Sequence, residues 1–118
     1  MQGKPSIKTA IPKRRYQIGD FSASLLGDIE SADARQFRYI LAFVQMGQGE
    51  PALYLCSEPS PPSEWDRGRY ALRVINDAMS EVVDTDDRWG QEEAFAEQAV
   101  KLGVQALGLQ QERVVRLM

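Results

Sequence analysis

The sequence predicts an α+β domain in which an antiparallel sheet of three to four strands packs against two amphipathic helices. Strand-like segments, alternating or apolar throughout, lie at about 16–30, 36–46 and 51–57. Helix-like segments, with apolar side chains three and four positions apart, lie at about 63–83 and 90–107. The four-residue connector 47–50 contains two glycines between two strands. This spacing is typical of a hairpin and favours a meander.

The segment 36–46 is the most informative of the predicted strands. One side of it carries Phe37, Tyr39, Leu41 and Phe43, and the other carries Ile40, Ala42, Val44 and Met46. A strand that is apolar on both sides is typical of a sheet centre covered on both faces. The segment 16–30 alternates instead and predicts a half-buried strand. The eight residues 111–118 are too few to separate strand from helix, and we predict a short fourth strand there.

Each predicted helix has a start signal and an apolar stripe. Ser63 and Asp66 have the spacing of a capping box, directly after a proline-rich connector that can continue neither strand nor helix. The first stripe is Trp65, Gly68, Leu72, Ile75, Met79 and Val82. The second helix follows an acidic break at 84–90, and its stripe is Phe95, Ala99, Leu102 and Ala106.

Length and charge predict the domain organisation. A chain of 118 residues fits one domain with one core. Residues 1–15 contain five lysines and arginines and no acid, although the chain has a net charge of −3. We predict a flexible basic tail over 1–15 and a single α+β domain over 16–118. A basic arm for nucleic acid or a membrane surface is the alternative, but a polyanion would meet an acidic domain, so we do not expect nucleic-acid binding.

Composition excludes several kinds of chemistry. The absence of histidine excludes the usual Ser-His-Asp and Cys-His catalytic arrangements and most transition-metal sites. Gly47, Gly49 and Ala52 have the spacing of a dinucleotide loop, but Pro51 and a strand follow rather than a helix. No apolar run is long enough to cross a bilayer, and no secretory signal is visible. We therefore expect a cytoplasmic protein with no metal, cofactor or membrane partner, and a catalytic role is not favoured.

Cys56 is the only cysteine, so no intrachain disulfide can form. It ends an apolar strand, where a free cysteine usually behaves as a small buried hydrophobe. A nucleophile would need a neighbouring cation or helix N-terminus to lower the pKa of its thiol. We therefore predict that Cys56 is structural.

Two classes of function fit these observations. The first is a small cytosolic, non-catalytic protein-binding module of the chaperone, adaptor or immunity type. It would form a homodimer, or a complex with another protein, that covers the second face of 36–46 through Ile40, Val44 and Met46. The alternative is a closed monomer in which one predicted helix packs on each face of the sheet. The second class is a small-molecule-binding or enzymatic domain with a pocket between sheet and helices. Its polar contributors would be Tyr39, Tyr54, Arg69 and Arg73.

Overall fold

The fold is a seven-stranded antiparallel sheet with one α-helix on one face, in a computed structural model that describes residues 1–118. The strands are β1 (Ile7–Ile18), β2 (Phe21–Ser31), β3 (Tyr39–Gln45), β4 (Leu53–Pro59), β5 (Tyr70–Ile75), β6 (Ser80–Thr85) and β7 (Val114–Arg116). The helix α1 spans Glu92–Ala106, and short 3₁₀ turns span Pro62–Glu64 and Asp87–Gly90. The strand order is β6-β5-β4-β3-β2-β1-β7, so a six-stranded meander ends with β7 beside β1.

The predicted sheet of three to four strands with two helices is wrong, chiefly because 63–83 is not a helix. This segment contains a 3₁₀ turn and then the hairpin of β5 and β6. Tyr70, Leu72 and Val74 alternate with Ala71 and Arg73, a period of two that overrides the coincidental spacing of the apolar stripe. The Asn76 side chain accepts hydrogen bonds from the N–H groups of Ala78 and Met79, which fixes the tight turn between the strands.

The flexible tail predicted over 1–15 differs from the structure as well. Residues 7–15 belong to β1, which pairs with β2 along most of its length. The predicted strand 16–30 is therefore the end of β1 and most of β2, joined at Gly19 in a left-handed conformation with φ +58°. Lysines are frequent in this segment because β1 exposes one face to water, where they suit a strand near the sheet edge.

The main core lies between α1 and the sheet. Phe43 on β3 is fully buried beneath α1, where Gly103 leaves room for its ring. Tyr39 stacks on Phe95 of α1 with ring centroids 5.7 Å apart. The first turn of α1 carries Glu92 and Glu93, which suit the positive end of the helix dipole. This predicted helix, 90–107, thus lies almost where α1 is found.

A smaller core lies on the other face of the sheet. It consists of Phe37, Ile40, Tyr54, Cys56 and Ile75, packed with Ile7, Leu26, Ile29 and Ala42. Ile7, Leu26 and Ile29 come from the β1–β2 hairpin, whose pairing shifts register three times. The second face of β3 is therefore covered by residues of the same chain.

The amino-terminal segment, residues 1–6, is tied to three loops on this side. Arg35 donates a hydrogen bond to the carbonyl of Gly3 at 2.8 Å. Lys4 pairs with Glu50 at 3.4 Å, and the terminal amine lies 3.8 Å from Asp77. Pro5 is buried. These contacts hold the chain against the sheet before β1 begins.

Candidate functional site

The sheet ends at two strands, β6 and β7, and each has only one neighbour. The pairing of β7 with β1 aligns Tyr16 with Arg116 and Ile18 with Val114. The N–H of Leu117 donates to the carbonyl of Arg15 at 2.7 Å. Because backbone groups alternate between the two edges of a strand, those of Val114 and Arg116 point away from β1. The outer edge of β7 thus presents free backbone donors and acceptors.

Exposed apolar side chains accompany this open edge. The side chains of Val114, Val115, Leu117 and Met118 are between 42% and 57% exposed. An edge strand with this composition is a template for pairing with another chain. It is also the kind of edge to which extended peptides add as a further strand.

The opposite edge, β6, carries Val82 and Val83 at similar exposure, 44% and 48%. Its pairing with β5 shifts register between the partners of Leu72 and Arg73, so Val83 forms a bulge. Glu81 and Asp84 flank the two valines. Bulges and edge charges both discourage strand pairing. The unbulged β7 is therefore the better candidate for a binding edge.

An open groove of about 450 Å³ runs between α1 and β7 on the helix face of the sheet. Its lining is Arg14, Tyr16, Glu93, Ala96, Glu97, Val100, Lys101, Val104, Val114 and Arg116. Arg14 pairs with Glu92 at 2.9 Å at one side of the groove. Hydrogen bonding to Tyr16 and to Glu92 raises the pKa of the Arg14 guanidinium. Apolar side chains and charges of both signs thus lie beside the free backbone of β7.

The binding residues predicted from the sequence lie apart. Tyr39 belongs to the core beneath α1, whereas Tyr54 belongs to the smaller core on the other face. Arg69 covers the ring of Trp65 at 4.0 Å, in the loop before β5. Arg73 pairs with Glu58 at 2.8 Å on the face opposite the helix. These four side chains do not converge on one site.

The interface residues predicted from the sequence also have different surroundings. Ile40 is fully buried in the smaller core, and Val44 is half-buried. Met46 is 74% exposed, directly after β3. Of these three residues, only Ile40 is fully covered by side chains of the same chain.

Cys56 lies inside the smaller core and is fully buried. Burial, and secondarily the charge of Glu58, raises the pKa of its thiol far above the ordinary value of 9.0. A thiol held protonated and out of reach of solvent is a poor nucleophile. The surroundings of Cys56 are those of a structural residue.

The open edge at β7 was not among the sites predicted from the sequence. The sequence pattern that indicates an edge strand here is Arg113-Val114-Val115-Arg116, in which two β-branched residues lie between two cations. A short strand was predicted there, but its position at the sheet edge depends on pairing with β1, far away in the chain. A scan of protein-family models, a search of curated proteins and a search of solved structures each found no match. The helix α1 is not long and apolar enough to span a bilayer.

Proposed function

We propose that the protein is a non-catalytic protein-binding module that receives an extended polypeptide at the edge of β7. The observation that carries the proposal is the open, unbulged β7 edge with exposed valines beside a partly apolar groove. Strand addition uses the free backbone for affinity and the adjoining side chains for selectivity. Residues of the added strand that face the helix would contact Val100, Val104 and Val114. A cytoplasmic location is part of the proposal, since the lone thiol is kept free rather than paired.

The filling of the core supports this class over a small-molecule or enzymatic domain. Such a domain would need an enclosed pocket between sheet and helix. Tyr39, Phe43 and Phe95 fill the space beneath α1, and the remaining cavity on this face is the open groove beside β7. Cys56 is buried in a core rather than aimed into a cleft. The surface that remains for recognition is the sheet edge and its groove.

Selection from a phage-displayed library of unstructured peptides tests the proposal. The protein is used at nanomolar concentration, where weak self-association is dispersed. We expect enriched peptides with apolar residues at alternate positions, which is the pattern of an added strand. Val114→Lys should weaken their binding at least tenfold, because a charge there opposes an apolar contact in the groove beside the edge.

Val82→Lys is the matched control, because Val82 has nearly the same exposure on the other open edge. It should leave peptide binding unchanged. Circular dichroism should show both variants folded. The proposal is wrong if no peptide is enriched, or if Val82→Lys and Val114→Lys affect the enriched peptides equally.

A further inference from the structure

We infer that residues 1–5 form a releasable strap, which Arg35 latches closed across a groove on the face of the sheet opposite α1. The strap can leave this groove while the strands stay paired, and its release opens the smaller core to solvent. This inference does not depend on the proposed function, because it concerns the face opposite α1 and not the edge of β7.

The strap lies outside the hydrogen-bonded ladder of the sheet. No backbone group of residues 1–5 forms a hydrogen bond with another backbone group. The first such bond along the chain joins the carbonyl of Ser6 to the N–H of Ala32 at 2.8 Å, directly before β1 begins. Pro5 is the only buried residue of the strap. A segment with so few backbone bonds and so little buried surface opens at a lower cost than the strands, and Ser6 marks the hinge.

Two cavities lie on either side of the strap. One, of about 410 Å³, is lined by Gly3 and by the turn between β5 and β6. The other, of about 350 Å³, is lined by Lys4, by the turn between β3 and β4, and by Tyr54 of the smaller core. Asp77 lines both cavities. The strap therefore divides one groove into two halves, and its sides lack the close packing that holds a core segment in place.

One guanidinium joins the strap to the smaller core. Nη1 of Arg35 donates to the carbonyl of Gly3 at 2.8 Å and to that of Lys4 at 3.4 Å. The central carbon of the same guanidinium lies 4.8 Å from the ring centroid of Phe37, which belongs to the smaller core. Lys4 pairs with Glu50, but both side chains are exposed, and such a pair contributes little. The closed position therefore depends chiefly on Arg35.

Cys56 lies in the same core as Phe37 and Tyr54, and its thiol can report the opening of the strap. Burial raises the pKa of this thiol, whereas the nearby charges of Arg35 and Arg73 lower it. Removal of Arg35 would therefore make the thiol less reactive if nothing moved. A faster reaction of Cys56 without Arg35 thus reports greater access and not a more acidic thiol.

Modification of Cys56 by iodoacetamide, an uncharged reagent, tests the inference in the full chain, with the product quantified by peptide mass spectrometry. Arg35→Ala should raise the rate roughly tenfold, because it removes the charge-assisted hydrogen bonds to the strap. The faster rate should change little with low concentrations of urea, because release of the strap exposes far less surface than unfolding does.

Arg38→Ala is the matched control. Arg38 also donates to a carbonyl, that of Gly90 at 3.2 Å, and its guanidinium also covers a ring, that of Tyr39 at 4.7 Å. These contacts belong to the main core beneath α1. Arg38→Ala should therefore leave the reaction of Cys56 unchanged.

A disulfide between the strap and β6 should cancel the effect of Arg35→Ala. A Cβ built on Gly3 stands 3.4 Å from the Cβ of Ser80, close to the span of a disulfide. Gly3→Cys and Ser80→Cys are added to Arg35→Ala, and the oxidised and reduced forms of this one variant are compared. Oxidation should return the reaction of Cys56 to the wild-type rate, and reduction should restore the fast rate.

The inference is wrong if Cys56 reacts no faster in Arg35→Ala than in Arg38→Ala, or if the oxidised disulfide leaves the fast rate unchanged. A rate that climbs steeply in low urea would show that the reagent reaches Cys56 through global unfolding, which refutes a separate motion of the strap. Failure of the two introduced cysteines to pair in the folded chain refutes the closed position. None of these results depends on peptide binding at β7, so the two proposals stand or fall separately.

Discussion

Replacing Gly103 with alanine measures how tightly α1 packs on the sheet. Gly103 lies in the fourth turn of α1, near its carboxyl end, and faces the fully buried ring of Phe43. A Cβ built at this position stands 3.0 Å from Cε2 of Phe43 and still closer to Cζ and Cε1, whereas ordinary contacts begin at 3.4 Å. The ring would have to retreat into a close-packed core, or α1 would have to lift from the sheet.

Two effects set the change in the free energy of unfolding. Overpacking a core costs about 1–3 kcal/mol. The cost here should be at the upper end of that range, because Phe43 has no exposed side toward which its ring could move. Alanine favours the helix over glycine by about 1 kcal/mol. The free energy of unfolding should therefore fall by about 2 kcal/mol, which lowers Tm by roughly 8 °C for a chain of this size.

Urea unfolding followed by circular dichroism and by the fluorescence of the buried Trp89 measures this change. Phe43→Leu in the same chain should restore part of the loss, because the smaller side chain makes room for the new methyl group. Gly49→Ala is the control, since nothing lies within 4 Å of a Cβ there. A Gly103→Ala variant as stable as the wild type, or one that Phe43→Leu further destabilises additively, would refute the packing argument.

Four further predictions concern the cores and the amino-terminal segment. Ser57→Ala removes a fully buried hydroxyl that donates a hydrogen bond to the carbonyl of Trp89, so the free energy of unfolding should fall by about 1–3 kcal/mol. Ser22 is half-buried, and Ser22→Ala is the control that should leave the free energy of unfolding unchanged. Burial raises the pKa of Cys56 in the folded chain, so the unfolded chain loses its thiol proton at lower pH. The free energy of unfolding should therefore decline as the pH rises past the ordinary thiol pKa of 9.0. Denaturant titrations at pH values on both sides of 9.0 measure this decline, and Cys56→Ala should remove the contribution of the thiol to it. The thiol should also react slowly with a thiol reagent in the native state, and fast modification would show that it is accessible. A chain that begins at Lys13 lacks Ile7 and the ties to Glu50 and Asp77, so it should lose more than about 10 °C in Tm, and an unchanged melting curve would show that the second core does not need this cover.

Local patterns predicted the centre of the sheet and the second helix well. The two-sided apolar pattern of 36–46 corresponds to β3, and the apolar stripe of 90–107 corresponds to α1. These predictions succeeded because each segment is long and keeps one spacing of apolar residues throughout. The requirement for cover on both faces of β3 was also sound. The cover on the second face comes from the hairpin of β1 and β2, through Ile7 and Leu26. This packing depends on contacts between residues distant in sequence, so it could not be predicted.

The remaining differences have local physical causes. In 63–83, apolar residues at intervals of three and four arise by coincidence when two strands flank the turn at Asn76. In 1–15, lysines on the exposed side of β1 concealed a strand whose apolar side chains are few. The candidate site at β7 escaped prediction because an edge is a property of the whole sheet and not of the segment that forms it.

The order of the strands has a consequence for how the chain folds. Every neighbour in the meander is also a neighbour in sequence, whereas Tyr16 and Arg116 pair across 100 positions. Closing that long loop costs entropy before the three residue pairs of β7 return any stabilisation, so β7 should join the sheet after the folding transition state. Substitutions in β7 should then accelerate unfolding and leave the folding rate almost unchanged. The strand that joins the sheet last on folding should also separate from it first on unfolding. The backbone amides of β7 should therefore exchange with solvent well before those of β3 and β4.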